Sequence, residues 1–207
     1  MKKIRLLIAK GLKIILNPSA LRNCRIEKTA KVCAQCDLNN VELGGYSYIG
    51  YRCFAVNADI GRFCSIADNC RIGNDMHPLD FVSTSPVFIK GKNVLKYNFA
   101  NHEYDSAKKT IIENDVWIGA NVLVKSGVTI HNGAVVGMGS VVTKDIPAYE
   151  VWAGNPAHFI KKRFEEDTAK KIESMEWWNW SDEELLKKSS FFNYPQKLIQ
   201  EAEEIKA

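Results

Sequence analysis

The stretch Ile112-Glu-Asn-Asp-Val-Trp, Ile118-Gly-Ala-Asn-Val-Leu, Val124-Lys-Ser-Gly-Val-Thr, Ile130-His-Asn-Gly-Ala-Val, Val136-Gly-Met-Gly-Ser-Val, Val142-Thr-Lys-Asp-Ile-Pro reads in sixes. An aliphatic residue opens every hexad, and the fifth place holds Val116, Val122, Val128, Ala134, Ser140 and Ile146. Helices repeat at 3.6 residues and strands at 2, so neither explains a period of six. Short strands wound into stacked coils do, and the spacing predicts a parallel β-helix. The opening aliphatic fills the coil interior and the smaller fifth residue lets the wall turn.

Working towards the N-terminus, the same pattern opens at Ile26 and runs through Val32 and Leu38. It slips by one residue to Leu43 and Ile49, and slips again before Ile60, Ile66 and Ile72. At three strands per coil the two blocks predict about five coils, a prism on the order of 25 Å tall. Between the blocks, residues 77–111 break the period, and loops longer than about 15 residues are commonly functional. This one carries Phe81, Val82, Phe88, Tyr97, Phe99 and Tyr104, so it is expected to pack.

Six cysteines include the pair Cys33-Ala-Gln-Cys36. Cys36, Cys53, Cys64 and Cys70 all occupy the fifth place of hexads opened by Val32, Ile49, Ile60 and Ile66. Cysteine behaves there as a small buried hydrophobe. No second C-x-x-C or paired histidines complete a zinc set, so no metal is expected, and the thiols suit a cytoplasmic setting. The net charge of +4 in 207 residues falls short of a nucleic-acid-binding face. No Walker-type loop or dinucleotide fingerprint is present.

At the N-terminus, Ile4, Leu7, Ile8, Leu12 and Ile15 form one stripe of a basic amphipathic helix over residues 1–16, ended by Asn17-Pro18. Such a helix can cap the open end of the prism or rest peripherally on an anionic membrane surface. After Pro156 the pattern turns helical, with Ile160, Phe164, Ile172 and Met175 on a stripe. Ser181-Asp-Glu-Glu184 is a capping box that starts another helix. The domain plan is an N-terminal helix over 1–19, a β-helix over 20–157 with its excursion at 77–111, and a helical tail over 158–207.

Val116-Trp-Ile-Gly-Ala-Asn, Gly139-Ser-Val-Val-Thr-Lys-Asp-Ile-Pro and Ala153-Gly-Asn-Pro-Ala157 resemble the hexapeptide-repeat acyltransferases. His77-Pro-Leu-Asp80, Ser83-Thr-Ser-Pro86, Lys162-Arg-Phe164 and Trp177-Trp-Asn-Trp180 look like the branch holding streptogramin and type-B chloramphenicol acetyltransferases. The resemblance implies an all-β core that is a left-handed parallel β-helix, a homotrimer, and acetyl-CoA bound in clefts between neighbouring prisms. It makes His77 the general base for O-acetylation, with Asp75, Asp80 or a backbone carbonyl orienting its other ring nitrogen. It places Trp117, Ala120, Met138, Gly139, Thr143 and Lys144 along acetyl-CoA. Tyr46, Tyr48, Phe54, Asn57 and His102 are the expected acceptor contacts. The polar loop (Lys90, Lys92, Asn93, Asn98, Asn101) favours a sugar or glycan acceptor and hence polysaccharide modification. An antibiotic acceptor, which would make this a resistance enzyme, and a non-catalytic trimeric scaffold or CoA-binding module are the alternatives.

Overall fold

A computed structural model of the chain describes residues 18–74, 76–105 and 108–204. The expected amphipathic helix at 1–16 and Asp75 lie outside them.

The hexads build a three-walled parallel prism. Wall 1 stacks β1 (Ala20–Arg22), the first half of β4 (Asp37–Leu43), the first half of β6 (Phe54–Ile60), β8 (Arg71–Ile72), β11 (Leu123–Val124) and β14 (Val141–Val142). Wall 2 stacks β2 (Arg25–Ile26), the second halves of β4 and β6, β9 (Thr110–Ile112) and β12 (Thr129–Ile130), with Ile146 bridged beyond. Wall 3 stacks β3 (Lys31–Val32), β5 (Tyr48–Ile49), β7 (Ser65–Ile66), β10 (Trp117–Ile118), β13 (Val135–Val136) and β15 (Glu150–Ala153). Walls 1 and 3 have six rungs, one more than the hexads predict. The extra strands at Ala20–Arg22 and Glu150–Ala153 lie outside the regular repeat.

Both predicted inward columns are buried, from Ile112 and Val116 through Val142 and Ile146. Cys36, Cys53, Cys64 and Cys70 are free and buried among them. Their thiols donate to the next rung's carbonyls: Gly50 at 3.0 Å, Ala67 at 3.2 Å, Glu113 at 2.9 Å and Gly119 at 3.2 Å. The wall therefore satisfies each S–H while using it as apolar fill.

The register slips have a structural cause. Coils of the second block repeat every 18 residues (Trp117 beside Val135), but those of the first repeat every 17 (Lys31 beside Tyr48). The missing residue is at the edge between walls 1 and 2, where β4 and β6 run across both walls without a full turn. Asn40 and Asn57 make that bend in the left-handed region (φ 56° and 49°), which asparagine tolerates better than other side chains.

Residues 158–162 correct the sequence reading. The Ile160 segment is not helical but forms β16 (His158–Lys162), antiparallel to β15, because the turn at Gly154 (φ 103°) folds the chain back on the last rung. Helices follow as α1 (Glu166–Ser174), α2 (Asp182–Lys188) and α3 (Pro195–Glu204). Ser181 and Glu184 form the predicted capping box at α2.

The tail docks on the edge between walls 2 and 3. Tyr46, Phe63, Asp115 and Tyr149 hold left-handed turn positions of one column there (φ 56–62°). Tyr46 stacks on Phe63, with ring centroids 5.0 Å apart, and Phe63 meets Trp177 at 4.8 Å. Tyr149, Ile172, Trp177, Trp178 and Ile199 form a second core outside the prism. Gly133 sits in the same column because a Cβ there would come within 2.5 Å of the Tyr149 ring.

Candidate active site

His77 lies four residues beyond the last wall-1 residue before the excursion, Gly73, which donates its N–H to the Val124 carbonyl at 3.0 Å. Its ring Nδ1 is 2.7 Å from the Thr84 carbonyl oxygen. A carbonyl only accepts, so Nδ1 carries the proton and Nε2 is left as the basic nitrogen. Of the orienting groups expected, a backbone carbonyl fills the role, seven residues ahead in the Ser83-Thr-Ser-Pro86 segment. A carbonyl leaves no side-chain signature, which is why the sequence did not single out Thr84.

The excursion folds on itself. Ile89 bridges His102, Lys90 N–H donates to the His102 carbonyl at 2.9 Å, and His102 N–H to the Phe88 carbonyl at 3.2 Å. Asn93 and Asn98 brace the tip: the Asn93 amide donates to Asn98 Oδ1 at 2.7 Å, and the Asn98 amide to the Ile89 carbonyl at 2.8 Å. Two cavities result. One, of about 360 Å³, is lined by Phe81, Val82, Ser83, Phe88 and His102. The other, of about 470 Å³, is lined by His77, Met76 and Pro86 with the tip segment from Ile89 to Val94, including Lys90 and Lys92. His102, an expected acceptor contact, belongs to the first cavity, where its ring meets the Phe81 ring edge-on at 5.8 Å.

The expected donor residues fall elsewhere. Trp117 stands outward on wall 3, 55% exposed, between Ser65 and Val135. Ala120, Met138 and Gly139 line the edge between walls 3 and 1, where Gly139 N–H donates to the Ala120 carbonyl at 2.8 Å. Gly139 (φ 71°) has open space where a Cβ would go, and Met138 is 80% exposed. Thr143 and Lys144 turn the edge between walls 1 and 2. The Lys144 ammonium lies 5.2 Å from the ring centre of Trp152, which closes the interior beneath Val136.

Of the remaining acceptor candidates, Tyr48 shares wall 3 with Trp117 through Ser65. Phe54 lies on wall 1 under the Arg71 guanidinium at 5.1 Å. Tyr46 stacks on Phe63 and its hydroxyl donates to Asp182 of the tail. Asn57 accepts the Asn40 amide at 2.7 Å. One chain thus gathers Trp117, Ala120, Met138 and Gly139 on wall 3 and its edge, but not with His77. The excursion leaves the prism at the edge facing away from wall 3.

Among the described residues, no group of three or more His, Cys, Asp or Glu side chains is placed to hold a metal, and no helix is long and apolar enough to cross a membrane.

A family model described as bacterial transferase hexapeptide (six repeats) matches residues 109–144. A chloramphenicol acetyltransferase from Agrobacterium fabrum is 40% identical over 129 residues, 61% of this chain and 61% of that protein. The match therefore spans about three fifths of that relative's length. A probable macrolide acetyltransferase from Lysinibacillus sphaericus is 37% identical over 143 residues, 68% of this chain and 77% of the relative. Among solved structures, the polySia-specific acetyltransferase NeuO is 30% identical with a TM-score of 0.50, covering 68% of this chain and 62% of that one. On these matches and the hexad-built prism, the chain belongs to the hexapeptide-repeat transferase family.

Proposed function

We propose that the protein transfers an acetyl group from acetyl-CoA to a hydroxyl of a sugar or glycan, with His77 as general base. The observation that carries this reading is the His77 Nδ1–Thr84 carbonyl contact at 2.7 Å beside a cavity wide enough for a sugar. With Nδ1 held as donor, Nε2 takes the hydroxyl proton as the acceptor oxygen attacks the thioester carbon. The C–S bond of the resulting tetrahedral intermediate then breaks, and the imidazolium returns its proton to the CoA sulfur. Atoms and charge balance without a metal or covalent enzyme intermediate.

The donor groove is Trp117 with Ala120, Met138 and Gly139, where the exposed indole, the exposed Met138 side chain and the open face of Gly139 suit pantetheine. Thr143 and Lys144 turn the edge between walls 1 and 2, around the prism from that groove, so a role at the CoA phosphates falls to the neighbouring copy's cleft. Since the excursion carrying His77 leaves at the edge between walls 1 and 2 whereas Trp117 stands on wall 3, the reading requires His77 of one copy to meet wall 3 of the next. A closed homotrimer supplies three such clefts. The acceptor is a glycan because Lys90, Lys92 and Asn93 join His77 around its cavity, and NeuO is named for a glycan acceptor. Buried free thiols suit a cytoplasmic enzyme acting before export of its product.

A second reading, acetylation of an antibiotic hydroxyl, draws on the aromatic cavity of Phe81 and Phe88 and on the names of the two relatives. Release of free CoA from acetyl-CoA is the test, measured with N-acetylneuraminic acid and glucuronic acid against chloramphenicol and a macrolide. Turnover on the sugars supports the first reading and turnover confined to the drugs supports the second. No release with any acceptor, at saturating acetyl-CoA, contradicts both.

A further inference from the structure

The excursion carrying His77 leaves the prism through a crowded neck. An added Cβ at Gly73 (φ 69°) would lie 2.2 Å from the Val56 carbonyl oxygen and 3.4 Å from the Thr110 hydroxyl. Thr110, where the excursion returns, is fully buried, and its hydroxyl accepts the Gly127 N–H at 3.3 Å. Strand β6 serves both ends. Phe54 and Ala55 pair with outgoing Arg71 and Ile72, whereas Ala58 to Ile60 pair with returning Thr110 to Ile112. Val56 and Asn57 span the gap between those two pairings.

Asn57 is also a rung of an asparagine ladder. Asn23 donates to Asn40 at 2.8 Å and Asn40 donates to Asn57 at 2.7 Å, all three in the left-handed region. The 17-residue coil brings Asn74 level with Asn57, and there the chain departs. His77 is three chain steps beyond Asn74, roughly 10 Å at full stretch.

We propose that Asn57 is a positioning residue for His77: the ladder fixes the bend of β6 at the neck, and the neck sets where the imidazole stands. This inference rests on His77 being the base. Misplacing a reacting group by about 1 Å costs up to two orders of magnitude in rate. A side chain that sets the direction of the catalytic segment therefore acts on kcat without touching substrate.

The test uses the full chain with 15N-labelled histidine, reading each ring's tautomer by long-range 1H–15N NMR. His77 is assigned by the signals lost in His77→Gln. Asn57→Ala is expected to lower the Nδ1–H share of His77 and to cut kcat for CoA release about tenfold, leaving the KM for acetyl-CoA unchanged. Asn23→Ala removes one rung of the same kind at the far end of the ladder. It is expected to lower the melting temperature similarly while leaving tautomer and kcat at the parent level. Equal catalytic effects of the two variants, or none from Asn57→Ala, overturn the proposal. So does a rise in acceptor KM with an unchanged tautomer, which would make Asn57 an acceptor contact. Turnover surviving in His77→Ala refutes the base assignment, and that outcome is separate because it needs no change at Asn57.

Discussion

Arg163 Nη1 stands 3.1 Å from Asp115 Oδ2, joining the C-terminal tail to the second prism edge. The guanidinium also donates to the Gly133 carbonyl and lies 5.8 Å from the Tyr149 ring centre. The tail is therefore held by this ion pair beside an aromatic contact, with its Asp182 and Glu173 accepting from Tyr46 and Asn132 of the prism.

Burial pushes the Asp115 carboxyl above its ordinary value, and Arg163 pulls it back. Arg163→Ala should cost about 2 kcal/mol at pH 7, less than for a fully buried pair because both side chains keep over a quarter of their exposure. The sign with pH follows from linkage. An acid whose folded pKa is raised favours the folded state below its unfolded value, about 3.9, and loses that advantage as pH rises through the folded value. The variant's deficit should thus shrink as pH falls from 7 towards 4, measured by urea unfolding. A deficit that grows on acidification would contradict the assignment.

Burial pushes the Cys64 thiol from 9.0 up to about 12. A raised folded pKa means this thiol's contribution is whole below pH 9 and is lost between about 9 and 12, as the unfolded chain ionises first. Within that window it adds a slope of about 1.4 kcal/mol per pH unit. Cys64→Val, which matches Val116 on the next rung, should flatten the fall in unfolding free energy between pH 9 and 11 relative to the parent chain. Identical slopes would refute the shift.

Trp117 is exposed on wall 3, so Trp117→Ala should leave the melting temperature nearly unchanged while raising the KM for acetyl-CoA about tenfold, a loss of about 1.4 kcal/mol of binding. A large loss of stability would mark it as a packing residue instead.

If the site lies between copies, His77→Ala and a groove-blocking Ala120→Trp, each inactive alone, should complement. Subunits mixed one to one during refolding give about a quarter of clefts with both groups intact. Mixtures as dead as their components would place His77 and the donor groove on one chain.

The prism was legible because its signal is local and repeated. Ile112, Val116 and their equivalents must all be apolar and inward, and the cysteine column obeys the same rule. His77 stood out because it sits where the repeat stops. Less legible were the turn residues. Tyr46 and Asn57 read as acceptor contacts, being polar or aromatic near an irregular block. Their turn roles, Tyr46 against the tail and Asn57 in an asparagine ladder, stand beside that expectation and leave no signal in either residue alone. The spacing of Asn23, Asn40 and Asn57, and of Tyr46 and Phe63, is 17 residues in each case. That interval marks stacked turn positions in a coil shortened by one residue. Ile160 misled because an apolar residue among lysines fits an exposed strand as well as a helical stripe, and only the reversal at Gly154 decides between them.

CoA release by the His77→Ala variant is the direct test of His77 as the general base. A fall in kcat of about 10²- to 10⁴-fold is expected, with acetyl-CoA affinity by calorimetry unchanged. Turnover at the parent rate with intact binding would contradict it.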